Sequence, residues 1–130
     1  MKIKELIQDV ETFHNSFGIS NNHAPTVELS AKDIQLRFDL LKEENDEYLE
    51  AAKNGDLVEV ADALGDIMYI LFGTMLKHGL QDKMVEVFKE IQNSNMSKLG
   101  EDGKPIYRED GKVLKGPNYF RPNIAQILNK

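Results

Sequence analysis

Glu43-Glu44-Asn45-Asp46-Glu47, a turn signal at Asn54-Gly55, then Glu59-Val60-Ala61-Asp62-Ala63-Leu64-Gly65-Asp66: this stretch decides the fold. Acids spaced by three or four residues share one side of a helix. If the chain folds back at Gly55, Glu47 comes opposite Asp62 and Glu44 opposite Asp66. Two carboxylates ~5 Å apart repel by about 3 kcal/mol at an effective dielectric of about 20. A cluster of such groups needs protons or cations to neutralise it. Oxygen-only donors suit Mg²⁺ or Mn²⁺ rather than zinc.

Acids on helices are usually solvated surface, and Asp56 with Glu59 also fits a helix-capping pair. Asp66 reads differently, because it lies within Ala63-Leu64-Gly65-Asp66-Ile67-Met68-Tyr69-Ile70-Leu71-Phe72. A helix apolar on nearly every side is buried, and a charge there needs a partner. Asp62 lies on the same stripe one turn earlier. Glu44 follows the apolar line Phe38-Leu41-Glu44-Tyr48.

Outward from this hairpin the chain reads as helical. Helix one spans about Lys2 to Phe17, with Ile3, Leu6, Ile7, Val10, Phe13, His14 and Phe17 on one stripe, and Gly18 ends it. The segment Ile19 to Leu29 reads as loop. Ser30 with Asp33 resembles a cap that opens helix two, which runs to about Lys53. Helix three runs from Asp56 to about His78, and helix four from about Gln81 to Met96. The helical core thus covers residues of about 2 to 98 within a single domain of 130 residues.

After Leu99 the composition changes. Glu-Asp-Gly-Lys occurs at 101–104 and again at 109–112, with Ile106-Tyr107-Arg108 between and Val113-Leu114 after. Asp-Gly between short β-prone runs predicts a small hairpin, a flap over about 99–130. Gly116-Pro117 turns the chain, and Ile124 to Leu128 predicts a last helical turn. Tyr107, Tyr119 and Phe120 anchor the flap or stack on a base, and anchoring is the simpler reading.

The formal charge of −6 argues against nucleic-acid polymers and anionic membranes as partners. Cysteine is absent, which excludes a disulfide framework and a thiolate metal site. No apolar run reaches the length of about 20 residues that a membrane span needs. Met1 to Glu5 lacks a signal-peptide core, so a cytoplasmic protein is expected. Helix three is apolar on more sides than three companion helices cover. The reading is therefore an all-α four-helix bundle completed by a second copy, through Ile67, Ile70, Leu71 and Met75.

Glu-Glu-x-x-Glu on one helix, then a glycine turn and an acidic stretch ending Leu64-Gly65-Asp66, resembles the all-α nucleoside triphosphate pyrophosphohydrolases. That superfamily includes MazG-like proteins, dimeric dUTPases, dCTP pyrophosphatases and phosphoribosyl-ATP pyrophosphohydrolases. The resemblance covers residues of about 30 to 80 well and, by helical layout, extends to about 96. It implies Mg²⁺-dependent cleavage between the α and β phosphates of a nucleoside triphosphate, giving the monophosphate and pyrophosphate. It also implies metal ligation by Glu44 and Glu47 with a second pair from helix three. Asp62 and Asp66 fit that pair by hairpin symmetry, with Glu59 as an outer or water-mediated ligand. Ala63 stands where many relatives carry glutamate.

A carboxylate not fully used by metal, Glu43 or Glu47, could orient or deprotonate the attacking water. Nothing in the sequence suggests a covalent intermediate, and His14 reads as a packed helix residue. The triphosphate needs cations as well. Arg37, Lys98, Lys112 and Lys115 are the candidates, with Tyr119 beside them. A phosphoribosyl-ATP substrate is less favoured, because Asp66 is followed by Ile67-Met68-Tyr69-Ile70 rather than that branch's Tyr-His pair. A dimeric helical protein that binds nucleotide or metal without turnover is the alternative from another class.

Overall fold

The structure, a computed structural model, describes residues 2–130. Its helices are α1 (Ile3–Ser16), α2 (Ala31–Lys53), α3 (Leu57–Lys77), α4 (Met84–Met96) and α5 (Ile124–Leu128). No strand occurs among the described residues, so the chain is all-α. No helix among them is long and apolar enough to cross a membrane.

The chain divides into two compact units, one ending at Gln81 and one over Asp82–Lys130. Contacts therefore group α4 with the C-terminal segment. That division falls earlier than the change of composition near residue 98 suggests.

In the first unit α3 packs against both α1 and α2. The stripe on α1 delivers Ile7 and Val10 to a core shared with Phe72 and Leu76 of α3, flanked by Leu6 and Met75. Two side-chain caps set where the long helices begin. The Ser30 hydroxyl accepts the Asp33 N–H at 3.0 Å, and the Asp56 carboxylate accepts the Glu59 N–H at 3.2 Å. Between the two helices the chain turns at Asn54-Gly55, and the Asp56 N–H donates to the Ala51 carbonyl at 3.0 Å.

The extended segment between α1 and α2 supplies partners to the last carbonyls of α3, which a helix end leaves free. Asn22 donates its backbone N–H to the Leu76 carbonyl at 2.9 Å and its side-chain amide to that of Lys77 at 2.6 Å. The Thr26 N–H donates to the His78 carbonyl at 2.9 Å. Gly79 permits this contact. With φ +65°, it brings its α-carbon so near the Ala24 carbonyl that an added Cβ would lie 2.1 Å from the oxygen. Gln81, expected to open helix four, instead donates to the Asn22 carbonyl at 2.9 Å, and α4 starts at Met84.

In the second unit α4 contacts α5. The Ser94 hydroxyl donates to the Phe120 carbonyl at 2.8 Å, and the Phe120 N–H to the Ser97 hydroxyl at 3.1 Å. The expected hairpin reduces to one antiparallel bridge, Tyr107 with Val113. Its cause is local. In each Glu-Asp-Gly-Lys the aspartate carboxylate takes the lysine N–H, Asp102 from Lys104 at 3.0 Å and Asp110 from Lys112 at 3.1 Å. Side chains that close a turn this way compete with a β-ladder for the same N–H groups.

Candidate functional site

The α2–α3 seam carries the acids. On α2, Glu44 is half-buried, while Glu43 and Glu47 are exposed; on α3, Asp66 is half-buried, and Glu59 and Asp62 are exposed. At the turn end of the seam lies a cavity of about 420 Å³ lined by Glu47, Glu50, Ala51, Asn54, Asp56, Glu59 and Asp62. Glu47 and Asp62 thus meet at one opening from opposite helices. Sequence reasoning did not single out Glu50. Its signal is its place three residues after Glu47, which puts both on one helical face.

Glu44 and Asp66 sit deeper. Burial pushes the Glu44 carboxyl up to about 7, joined by a hydrogen bond with the Glu47 carboxyl and the charges of Asp66, Glu47 and Glu43. Burial also raises Asp66, followed by the charges of Asp62 and Glu47. Both shifts report the same physics: anions held together with too little water to screen them. The Glu44 Oε2 oxygen is buried and has no hydrogen-bond partner. A buried acceptor left without a donor is costly, so this oxygen marks the place where a proton or a cation belongs.

These residues fit a hard divalent cation in donor chemistry, being all oxygen with one orphaned atom. Among the described residues, however, no three His, Cys, Asp or Glu side chains already close around a common point. Ala63, which stands where the resemblance implies an acid, is buried at 2% exposed. Glu59 has its backbone N–H tied to the Asp56 cap, which leaves its side chain on the cavity wall.

Arg37, expected to meet phosphate, is buried instead. Its Nε donates to the Thr74 hydroxyl at 3.0 Å and its Nη2 to the Ile70 carbonyl at 2.8 Å. The cause is its position on the face of α2 that meets α3. Nearby, His14 is buried with Nδ1 2.6 Å from the Asn21 side-chain oxygen. Lys77, which the sequence reading passed over, is buried too, donating to the Ser20 carbonyl at 2.9 Å and to its hydroxyl at 3.1 Å.

The remaining expected cations and Tyr119 belong to the C-terminal unit. Lys98 is half-buried there and Lys112 exposed. The Lys115 ammonium lies 4.8 Å from the centre of the Tyr119 ring, a cation–π contact that engages both side chains.

Residues 10–95 match the family described as phosphoribosyl-ATP pyrophosphohydrolase. An uncharacterized protein of Acanthamoeba polyphaga mimivirus is 35% identical over 69 residues, which is 51% of this chain and 28% of that relative's length. Among solved structures, the fold is similar to a protein of Exiguobacterium sp. 255-15 provisionally named an NTP pyrophosphohydrolase. The TM-score is 0.50 at 25% identity, over 92% of this chain and 89% of that one.

Proposed function

The chain belongs to the phosphoribosyl-ATP pyrophosphohydrolase family, and from that premise we propose that it is a Mg²⁺-dependent nucleoside triphosphate pyrophosphohydrolase. The observation that carries this reading is the orphaned Oε2 oxygen of the half-buried Glu44, a residue opposed by Asp66 and neighboured by Glu47. Glu44, Glu47, Asp62 and Asp66 would hold the cation, with Glu59 at the outer wall. Held there, a divalent ion would supply positive charge to offset that of the phosphates when water attacks the α phosphorus.

The chain's own residues supply the rest. Glu47, on the cavity wall, orients the water and accepts its proton more readily than Glu43, which does not line that cavity. Asp66 and Glu44, set in the apolar seam, fix the depth of the site. The leading substrates are canonical or modified (d)NTPs.

Phosphoribosyl-ATP is the second reading, favoured by the family match over residues 10–95. Pyrophosphate release from a panel of (d)NTPs and phosphoribosyl-ATP, with and without Mg²⁺, separates the two. Absence of metal-dependent release from every member, together with retained nucleotide binding, would replace turnover with a binding role.

A further inference from the structure

We infer that Arg37 is a positioning residue, a clamp that holds the open end of the α2–α3 hairpin so that the carboxylates between clamp and turn stay opposed. The inference rests on the reading of those carboxylates as a metal site. At one end the hairpin is closed covalently by Asn54-Gly55-Asp56. At the other end no covalent link exists, and between the two ends lie Glu47, Asp62, Glu44 and Asp66. Carboxyl groups crowded on facing helices push those helices apart as they ionise. Something at the open end has to resist.

Arg37 is placed for that task. It precedes Glu44 by two helical turns, while Ile70 and Thr74 follow Asp66 by one turn and two turns. The guanidinium bonds to both, and the Thr74 hydroxyl donates to the same Ile70 carbonyl at 2.9 Å. A planar fork with two fixed donors sets rotation and register together, which a point charge or an apolar side chain does not. The site is also built to admit it. A Cβ on Gly73 would lie 2.7 Å from Arg37 Nη2 and 2.9 Å from His14 Nε2. Burying a cation costs desolvation that an apolar residue would not incur, so packing alone does not account for arginine here.

The test uses the full chain, with Arg37→Met, Arg37→Lys, Thr74→Val and, as a control on the α1 side of the core, Val10→Ala. Amide hydrogen exchange over residues 40–47 and 62–70 is read without metal, and the affinity for Mn²⁺ alone is read by paramagnetic resonance. Arg37→Met should speed exchange there by about tenfold. It should weaken Mn²⁺ binding by about tenfold or more, the usual effect of losing a group that orients metal ligands. Thr74→Val should move both readouts the same way by a smaller factor, and Arg37→Lys should recover part of the loss. Val10→Ala should lower the melting temperature while leaving both readouts unchanged.

Exchange and Mn²⁺ affinity within about twofold of wild type in Arg37→Met would overturn the clamp. So would equal changes in Val10→Ala at a matched loss of stability. If Arg37→Met does not fold, Thr74→Val decides by the same two readouts. A wild-type chain that neither binds Mn²⁺ nor releases pyrophosphate ends the metal reading alone, because the exchange measured without metal judges the clamp separately.

Discussion

Glu44 on α2 faces Asp66 on α3 across the helical seam. Burial, the adjoining Glu47 carboxyl and the Asp66 charge together push the Glu44 pKa up to about 7. Between the ordinary carboxyl value of 4.5 and that figure, the folded chain keeps a proton that the unfolded chain releases. Stability from this group therefore falls as pH rises through the window. His14 works in the opposite direction: burial lowers its pKa, so its contribution is lost as pH falls below the ordinary histidine range. The Glu44 part is isolated by subtraction. Melting temperatures from about pH 5 to 7.5 without metal should decline more steeply in wild type than in Glu44→Gln, which has no proton to lose. Parallel curves would show that Glu44 titrates as an ordinary surface acid.

Divalent metal should reverse that decline. A cation on the seam replaces the Glu44 proton and relieves repulsion that exists only in the folded chain. At 100 times the dissociation constant, a ligand specific to the folded state adds about 2.7 kcal/mol. Thermal melts at neutral pH should therefore rise with millimolar Mg²⁺ or Mn²⁺, and the gain should shrink in Asp66→Asn. A melt indifferent to both ions, with and without nucleotide, would count against a metal on these acids.

Much of this arrangement is legible in the sequence, because it is set by local rules. The three-and-four spacing of the acids, the caps at Ser30 and Asp56 and the turn at Asn54-Gly55 fix the long helices and place their acids along the seam. What the sequence hides is long-range. Arg37 reads as a phosphate-binding cation and Lys77 draws no reading at all, yet each is buried by partners far along the chain, Arg37 by Ile70 and Thr74 and Lys77 by Ser20. The C-terminal pairing falls where its pattern puts it but comes out shorter, for the opposite, local reason. Asp102 and Asp110 close their own turns, and a pattern that promises strands yields a single bridge.

The acids should separate by role. Asp66→Asn and Glu47→Gln should abolish pyrophosphate release while leaving the fold intact, since each removes charge and keeps shape. Glu59→Gln should be milder, because its side chain stands on the cavity wall while its backbone N–H is held by Asp56. Asp56→Ala should instead cost stability, about 1 kcal/mol for a lost helix cap. Steady-state kinetics beside thermal melts checks all four. Near-normal hydrolysis by the Asp66 and Glu47 variants would remove them from the site.

Gly73→Ala should destabilise well beyond the usual small effect of a helical Gly→Ala change, which on propensity alone is favourable. The new methyl would sit 2.7 Å from Arg37 Nη2 and 2.9 Å from His14 Nε2, both on buried side chains. Overpacking of this kind costs about 1–3 kcal/mol. Urea melts should show a lower midpoint at an unchanged slope. A more stable Gly73→Ala protein would mean that the guanidinium and imidazole yield freely.

Self-association is expected from what α1 and α2 leave uncovered. On α3, Leu64 and Leu71 are 47% and 41% exposed, and on α2 Phe38 is 60% exposed. Ile67 lies half-buried beside Phe38 and Leu41 in a groove of about 500 Å³ along the same two helices. Met75, read from the sequence as shared between copies, packs partly against its own chain's core, so the expected contact shifts toward Phe38, Leu64, Ile67 and Leu71. Burying each large apolar side chain contributes about 1.5–3 kcal/mol, enough for several together to hold two copies. Sedimentation at micromolar concentration should give at least twice the 14.8 kDa of one chain. Leu71→Glu, which places a charge in that contact and leaves the α1 core alone, should lower the mass toward the monomer or leave the chain aggregated. A wild-type chain that sediments as a folded monomer would show that this apolar face needs no second copy to cover it.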